Sequence, residues 1–296
     1  MNKLSDAKRA QILHCLVEGN SILATSRLMD VEKRTVLRLL CNVGEACGNY
    51  LDVTMRDLPC KRIQVDEAWT FCLMKEKRVP DKHKGELGYG DVYVWTALCP
   101  DTKIIPTFLV GRRDVSYADM FATDLALRLI NRVQITSDGY RPYIEAIEKA
   151  FASKVDYAQV VKSYGGTRIG RDGKEKKCRR SECSAIEKES ISGNPDPAHI
   201  STSLIERSNL TLRMGSRRFT RKTNAFSKKI QNLYYATALH HMYYNFARIH
   251  KTLRVTPAME AGLSDHVWSL EEIANLAPIE APSKRGPYRK IRQKAV

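Results

Sequence analysis

Apolar residues in the first part of the chain recur at helical spacing. Leu4, Ile12, Leu13, Leu16 and Val17 form one face, and Gly19-Asn20 interrupts it. Ile22, Leu23 and Leu28 form a second face, and Val36, Leu37, Leu39 and Leu40 a third. Three short helices within residues 5 to 47, with Lys33, Arg34, Thr35 and Arg38 on the last, predict a helix-turn-helix whose third helix presents a base-reading surface. The plain alternative is a three-helix cap. Residues 48 to 61 read as a linker.

Beyond it the period changes. Strand patterns occupy 62 to 71, 91 to 99, 103 to 111 and 133 to 137, with Pro106 demoting the third to an edge or a bulge. A helix rich in Ala and Leu spans about 116 to 131, PYIEAIEKAF forms another, and 157 to 162 reads as a fifth strand. Three successive strands followed by alternation predict an α/β class, a mixed sheet flanked by helices. From Ser163 to about Pro197 no periodicity survives, so 163–199 reads as a polar loop insertion. Helices resume near 200 and at 223 to 248. Thr256-Pro257 and the capping box Ser269 to Glu272 start short helices, the second within a C-terminal segment at 263–281. The tail, 282–296, carries Lys284, Arg285, Arg289, Lys290, Arg292 and Lys294 and no acid, the composition of a disordered, phosphate-seeking segment.

Charge narrows the partners. The chain of 296 residues has a formal net charge of +16, which makes nucleic acid the first candidate and a membrane surface the second. The membrane reading is weak, because no apolar run of about 18 residues exists and Asp6, Lys8, Arg9 and His14 occupy the stretch where a signal peptide would be apolar. Eight scattered cysteines without CxxC spacing read as reduced, mostly buried thiols of a cytosolic protein rather than as a zinc site.

Three acids carry the candidate chemistry: Asp66 in IQVDEAW, Asp138 ending VQITSDGY, and Glu206 in HISTSLIERSNLTLR. Asp66 and Glu67 face opposite sides of a strand buried on both faces, so one must emerge where its charge is compensated, by a divalent metal or by a nearby Arg. Asp138 ends a strand that feeds a helix through Gly139, where α/β folds expose functional groups; an N-cap is the bland alternative. Glu206, Asn209 and Arg213 share one helical face, which Arg217 nearly continues. From Arg207 to Lys229 there are eight basic residues and no acid, which suits a helix holding a metal and the adjacent phosphate more than a surface salt-bridge helix.

With VDEAW at 65–69, TSDGY at 136–140, LIERSNLTLR at 204–213, RRFTRKTNAFSKK at 217–229 and YYNFARIHKTLRVTPAMEAG at 243–262, most of the chain resembles bacterial DDE transposases of the insertion-sequence-one type. The resemblance implies a ribonuclease H-like catalytic domain over 62–262, preceded by a small all-α helix-turn-helix domain at 1–47 that reads element ends. It implies that Asp66, Asp138 and Glu206 are catalytic and bind two Mg²⁺, for which Mn²⁺ can substitute. The implied activity is strand cleavage at the element ends and 3′-hydroxyl strand transfer into target double-stranded DNA. A homodimer or higher oligomer would act in the synaptic complex, in the prokaryotic cytoplasm at the nucleoid. Asn209, Arg213, Arg217, Arg218, Arg221 and Lys222 would contact DNA. The N-terminal zinc ribbon common in the group has no counterpart here, so end recognition falls to residues 5 to 47. Three rivals remain: a domesticated transposase that binds DNA as a regulator, a ribonuclease H-like nuclease without joining activity, and a tyrosine recombinase using Tyr140, Tyr164, Tyr234 or Tyr235. The last lacks any local Arg and His spacing around a tyrosine.

Overall fold

The computed structural model describes residues 4–169, 175–177, 179–180 and 182–277. Helix α1, Asp6–Val17, begins where the Ser5 hydroxyl accepts a hydrogen bond from the Lys8 amide. It ends at Gly19, whose φ of +80° is one that glycine adopts without strain. The Ser21 hydroxyl caps α2, Ile22–Leu28, and the Glu32 carboxylate caps α3, Lys33–Thr54.

No linker follows residue 47. Helix α3 continues to Thr54, and Leu51, Met55, Leu58 and Cys60 are buried in the same core as Ile12, Leu13, Ile63 and Val65. Two glycines allow this. A Cβ at Gly44 would lie 2.4 Å from the Tyr235 carbonyl oxygen, and one at Gly48 would lie 2.6 Å from the Tyr234 hydroxyl. Both tyrosines belong to α7, Ile230–Met242, which crosses α3 closely at this point.

The sheet begins with β1, Arg62–Cys72, β2, Gly90–Leu98, and β3, Phe108–Gly111. Then come α4, Val115–Ala126, β4, Val133–Asp138, α5, Pro142–Phe151, and β5, Val155–Tyr164. A small pair, β6, Thr167–Ile169, and β7, Glu175–Lys177, leads into β8, Cys183–Ser192. The six-stranded order is β3-β2-β1-β4-β5-β8. β1 is antiparallel to β2 and parallel to β4, β4 is parallel to β5, and β8 returns antiparallel to β5. This mixed sheet flanked by helices is the α/β class expected from the sequence.

The strand expected over 103–111 is shorter, since β3 starts only after Pro106. Ile104 and Ile105 are buried without a strand partner; the Asn245 side-chain amide instead exchanges two hydrogen bonds, each 3.0 Å, with the Ile105 backbone. The expected polar loop at 163–199 is largely β-structure. β8 carries the charged run Glu187-Lys188-Glu189 on an edge, so both its faces are wet and it has no hydrophobic alternation to betray it. The basic tail and Cys178 lie outside the described residues.

On one sheet face Ile63, Val65, Trp95, Val133 and Ile135 pack with α4 and α5. On the other, Ala68, Val92 and Val94 meet Leu212 of α6, Ser203–Gly215, and Leu233 of α7. After α8, Pro257–Glu260, the last described helix is α9, Leu270–Asn275, opened by the capping box Ser269/Glu272. It returns to the N-terminus, where buried Arg9 donates to the carbonyls of Ala274 at 2.6 Å and Ala277 at 2.9 Å. These carbonyls lie at the C-terminal end of a helix, the place where a cation is favoured.

Two adjacent histidines in α7 are fully enclosed. Burial, followed by the charge of Arg248, pushes the His240 imidazole down to about 3, and burial pushes His241 well below its usual range. The unfolded chain therefore binds protons that the native one refuses, and stability must fall as pH drops below about 6.5. His240 alone should account for roughly 2 kcal/mol between neutrality and pH 5. Urea melts of wild type and His240→Gln at pH 7.5 and pH 5 test this; the variant is expected to lose less on acidification, and equal losses would refute the assignment.

Candidate active site

Strand register brings the first two acids together. Arg62 pairs with Gln134 and Gln64 with Thr136 across the parallel β1–β4 ladder, so the same offset sets Asp66 beside Asp138 at the end of β4. Even-numbered β1 side chains face α6, and this is the face on which Asp66 emerges. Its Oδ2 accepts a 2.9 Å hydrogen bond from the Asn209 Nδ2 of α6.

Gln64 docks that helix. Its buried side-chain oxygen accepts from the Leu204 and Ile205 amides, both at 3.0 Å, thereby satisfying two orphan donors in the first turn of α6. Glu206 follows immediately. One of its oxygens accepts from the Thr202 hydroxyl at 2.6 Å and pairs with the Lys162 ammonium of β5.

The cluster is not the one the sequence suggests. Carboxylate oxygens of Asp66, Glu67 and Asp138 lie within 4.8 Å of one another, whereas Glu206 does not join them because Lys162 and Thr202 hold it. Glu67 comes from the opposite face of β1, and its side chain is only 2% exposed. The Arg113 Nε donates to it at 2.8 Å, and Arg113 also approaches Asp138 at 3.5 Å. The Tyr140 amide donates to Asp138 Oδ1 at 3.1 Å. Gln64, Glu67, Arg113 and Lys162 were not expected here. Only the adjacency of Glu67 to Asp66 hinted at any of them, since the others arrive through tertiary contacts.

Electrostatics follow from this crowding. Burial first, and then the neighbouring Asp138, push Asp66 up to about 6, with Asn209 opposing and Glu206 adding a smaller push. Burial and Asp138 push Glu67 up to about 7 despite the Tyr143 hydroxyl and Arg113. Burial would also raise Glu206, but its bonds from Lys162 and Thr202 outweigh it and bring the carboxyl below its usual value. Asp66, whose side-chain partner among the described residues is the neutral Asn209 amide, thus lacks the cation that Glu67 and Glu206 each have. Hard oxygen donors that repel one another fit a hard divalent cation such as Mg²⁺ or Mn²⁺. Glu206 could join such a cation by exchanging Lys162.

The basic residues separate into groups. Arg213 lies two turns beyond Glu206, half-buried, with its Nε unpartnered among the described residues. Burial and then the charge of Arg221 lower its affinity for a proton, while Asp66 acts in the other direction. α6 stops at Gly215, so Arg217 lies in a short 3₁₀ turn rather than on the Glu206 face. Arg218 turns inward and donates to the Ser227 hydroxyl at 2.8 Å, and burial depresses its pKa. Arg221 and Lys222 are exposed, as are Lys33, Arg34 and Arg38, while Thr35 is half-buried. Asn209 is buried against Asp66 and is not a surface group.

One cleft joins two of these groups. Lys33 and Arg34 of α3 and Arg217, Arg218 and Lys228 after α6 line a single cavity of about 580 Å³, and no Asp or Glu lines it.

No family model matches the chain, and no curated protein matches it. Solved structures similar to it include the Mos1 strand transfer complex, at 11% identity and a TM-score of 0.23, covering 53% of this chain and 59% of that one. The Mos1 transposase paired-end complex with left transposon end has 10% identity and a TM-score of 0.24 over the same shares. The piggyBac transposase synaptic complex with hairpin DNA has 12% identity and a TM-score of 0.31, covering 74% of this chain and 52% of that one. The chain thus spans little more than half the length of each, and all three likenesses are loose.

Proposed function

We propose that this chain is a DNA transposase of the DDE type, which cuts the ends of its element and joins them to target DNA. The observation that carries this reading is the placement of Asp66 and Asp138 side by side on adjacent parallel strands, under a helix that brings Glu206, Asn209 and Arg213 over them. Asp66, Asp138 and Glu206 would hold the divalent cations, Mg²⁺ or Mn²⁺. When bound, such a pair supplies an activated oxygen nucleophile and stabilises the leaving oxygen of an in-line displacement at phosphorus.

The protein groups have separable tasks. Asn209 fixes one oxygen of Asp66. Gln64 sets the height of α6 above β1, and with it the distance from Glu206 to Asp66. Lys162 neutralises Glu206 until a cation takes its place. Arg213, with its unpartnered Nε, is placed to meet a phosphate oxygen next to the reacting bond. The acid-free cleft between α3 and residues 217–228, with Lys33, Arg34 and Arg217 on its walls, would face the duplex further from the cut, and exposed Arg38, Arg221 and Lys222 would meet further phosphates and base edges. No described helix is long and apolar enough to cross a membrane.

The test is cleavage of duplexes that span the two ends of the DNA segment carrying this chain's gene, with and without Mg²⁺. Cutting at a defined position near each end, dependent on the cation and absent on random duplexes, is the expected result. Specific binding without cutting would favour the DNA-binding regulator instead. Cutting without joining to a supplied target duplex would favour the nuclease.

A further inference from the structure

Arg113 sits between β3 and α4, on the rim of the carboxylate cluster. Its Nε is committed to buried Glu67, and the guanidinium lies 3.7 Å from the centroid of the Tyr140 ring. Its Nη groups are held far less. Among the described residues they approach only Asp138, at 3.5 Å, beyond the usual range of a charge-assisted hydrogen bond.

Two buried arginines show what a purely structural guanidinium looks like in this fold. Arg128 uses Nε and both Nη groups on Asp52, Asp124 and the Met55 carbonyl, and its side chain is 7% exposed. Arg9 uses its Nη groups on two carbonyls and Asp6, and is likewise 7% exposed. The Arg113 side chain is 33% exposed, with its root clamped and its fork open beside Asp138. A buried Glu67 costs desolvation energy, and pairing with Arg113 offsets it only while the arginine stays in place. The clamp therefore fixes the fork's position without occupying it.

On the reading of the site given above, we infer that Arg113 binds a phosphate of the reacting DNA strand, and that Glu67 is the residue that positions it. A divalent cation that takes Asp138 removes the fork's weak partner. Both Nη groups then face the space beside the cation, where non-bridging phosphate oxygens can accept a bidentate pair of hydrogen bonds. In the free protein the same fork partly neutralises Asp138, so one side chain serves the site both with and without its cation.

The experiment uses the full chain, with Mn²⁺ binding measured by calorimetry without DNA and single-turnover cleavage measured on the element-end duplexes. Arg113→Ala is expected to bind Mn²⁺ as well as wild type or several-fold more tightly, because a competing cation is gone. Its cleavage rate should fall on the order of a hundredfold, as for loss of one preorganised donor to a transition-state oxyanion. Arg113→Lys should recover little, since one ammonium cannot hold Glu67 and reach the phosphate together. Glu67→Gln keeps an acceptor for Nε and should stay within about tenfold of wild type, far above Arg113→Ala.

The double variant Glu67→Gln/Arg113→Gln leaves no uncompensated buried charge, and serves if Arg113→Ala does not fold; it should show the same loss of rate with intact Mn²⁺ binding. Near-normal cleavage by either Arg113→Ala or the double variant would overturn the inference while leaving the transposase reading standing. Mn²⁺ affinity falling in step with the rate would also overturn it, and would make Arg113 a prop for the carboxylates. A wild-type chain that binds Mn²⁺ but cuts no DNA sinks the transposase reading, and this inference with it.

Discussion

Asp66→Ala and Asp138→Ala are each expected to lower cleavage of element-end DNA by about a thousandfold or more while leaving DNA binding within a few-fold of wild type. Loss of a cation that stabilises both the attacking and the leaving oxygen removes several kcal/mol of transition-state stabilisation, and each 1.4 kcal/mol is about tenfold in rate. Neither acid lines the cleft between α3 and residues 217–228, so binding should survive. Glu206→Ala is expected to do the same, with one difference: it also frees Lys162, which then faces Asp66 as an unpaired cation.

Stability provides an independent readout for the same residue. Asp66 titrates near 6 in the folded chain, above its unfolded value, so the native state holds a proton that the unfolded chain has released. Its contribution to stability is thus present at low pH and is lost as pH rises through about 4 to 6. Without divalent cations, Asp66→Asn should then be more stable than wild type at pH 8, by up to about 3 kcal/mol. Added Mn²⁺ should raise the melting temperature of wild type and not of the variant. A variant less stable than wild type under cation-free conditions would show that Asp66 is not electrostatically strained.

A fragment of residues 5 to 47 is expected not to fold. The sequence suggests an independent helix-turn-helix, but the apolar face of α3 is closed by α7 and that of α1 by α9. Cutting after 47 would expose Val36, Leu40, Val43 and Cys47, each 2% exposed or less in the whole chain. Burying a side chain of this kind is worth about 1.5–3 kcal/mol, so losing several exceeds the marginal stability of a small domain. Circular dichroism of the fragment should show little helix and no cooperative melt. A cooperative transition would mean that α1 to α3 form a domain merely resting on the rest. The same packing makes Gly44→Val a severe change in the full chain, because its Cβ would meet the backbone of Tyr235.

The sequence by itself determined the elements whose pattern is local. β1 begins at Arg62 as expected, α5 covers PYIEAIEKAF from Pro142 to Phe151, and Ser269 and Glu272 form their capping box, because strand alternation, helical periodicity and end-capping are all settled within a few residues. The position of Asp138 at a strand end followed from the same signals, whereas Asp66 lies inside β1, which runs on to Cys72. Tertiary structure alone decided that α3 runs through the supposed linker, since the smallness of Gly44 and Gly48 acquires meaning only against α7. It also decided that a polar stretch becomes β8, because an edge strand is held by backbone bonds to β5 and needs no apolar face. And it decided the composition of the site. Glu67, Arg113, Gln64 and Lys162 lie on different elements or faces, and their convergence on Asp66, Asp138 and Glu206 depends on strand register and the docking of α6, which no local pattern encodes.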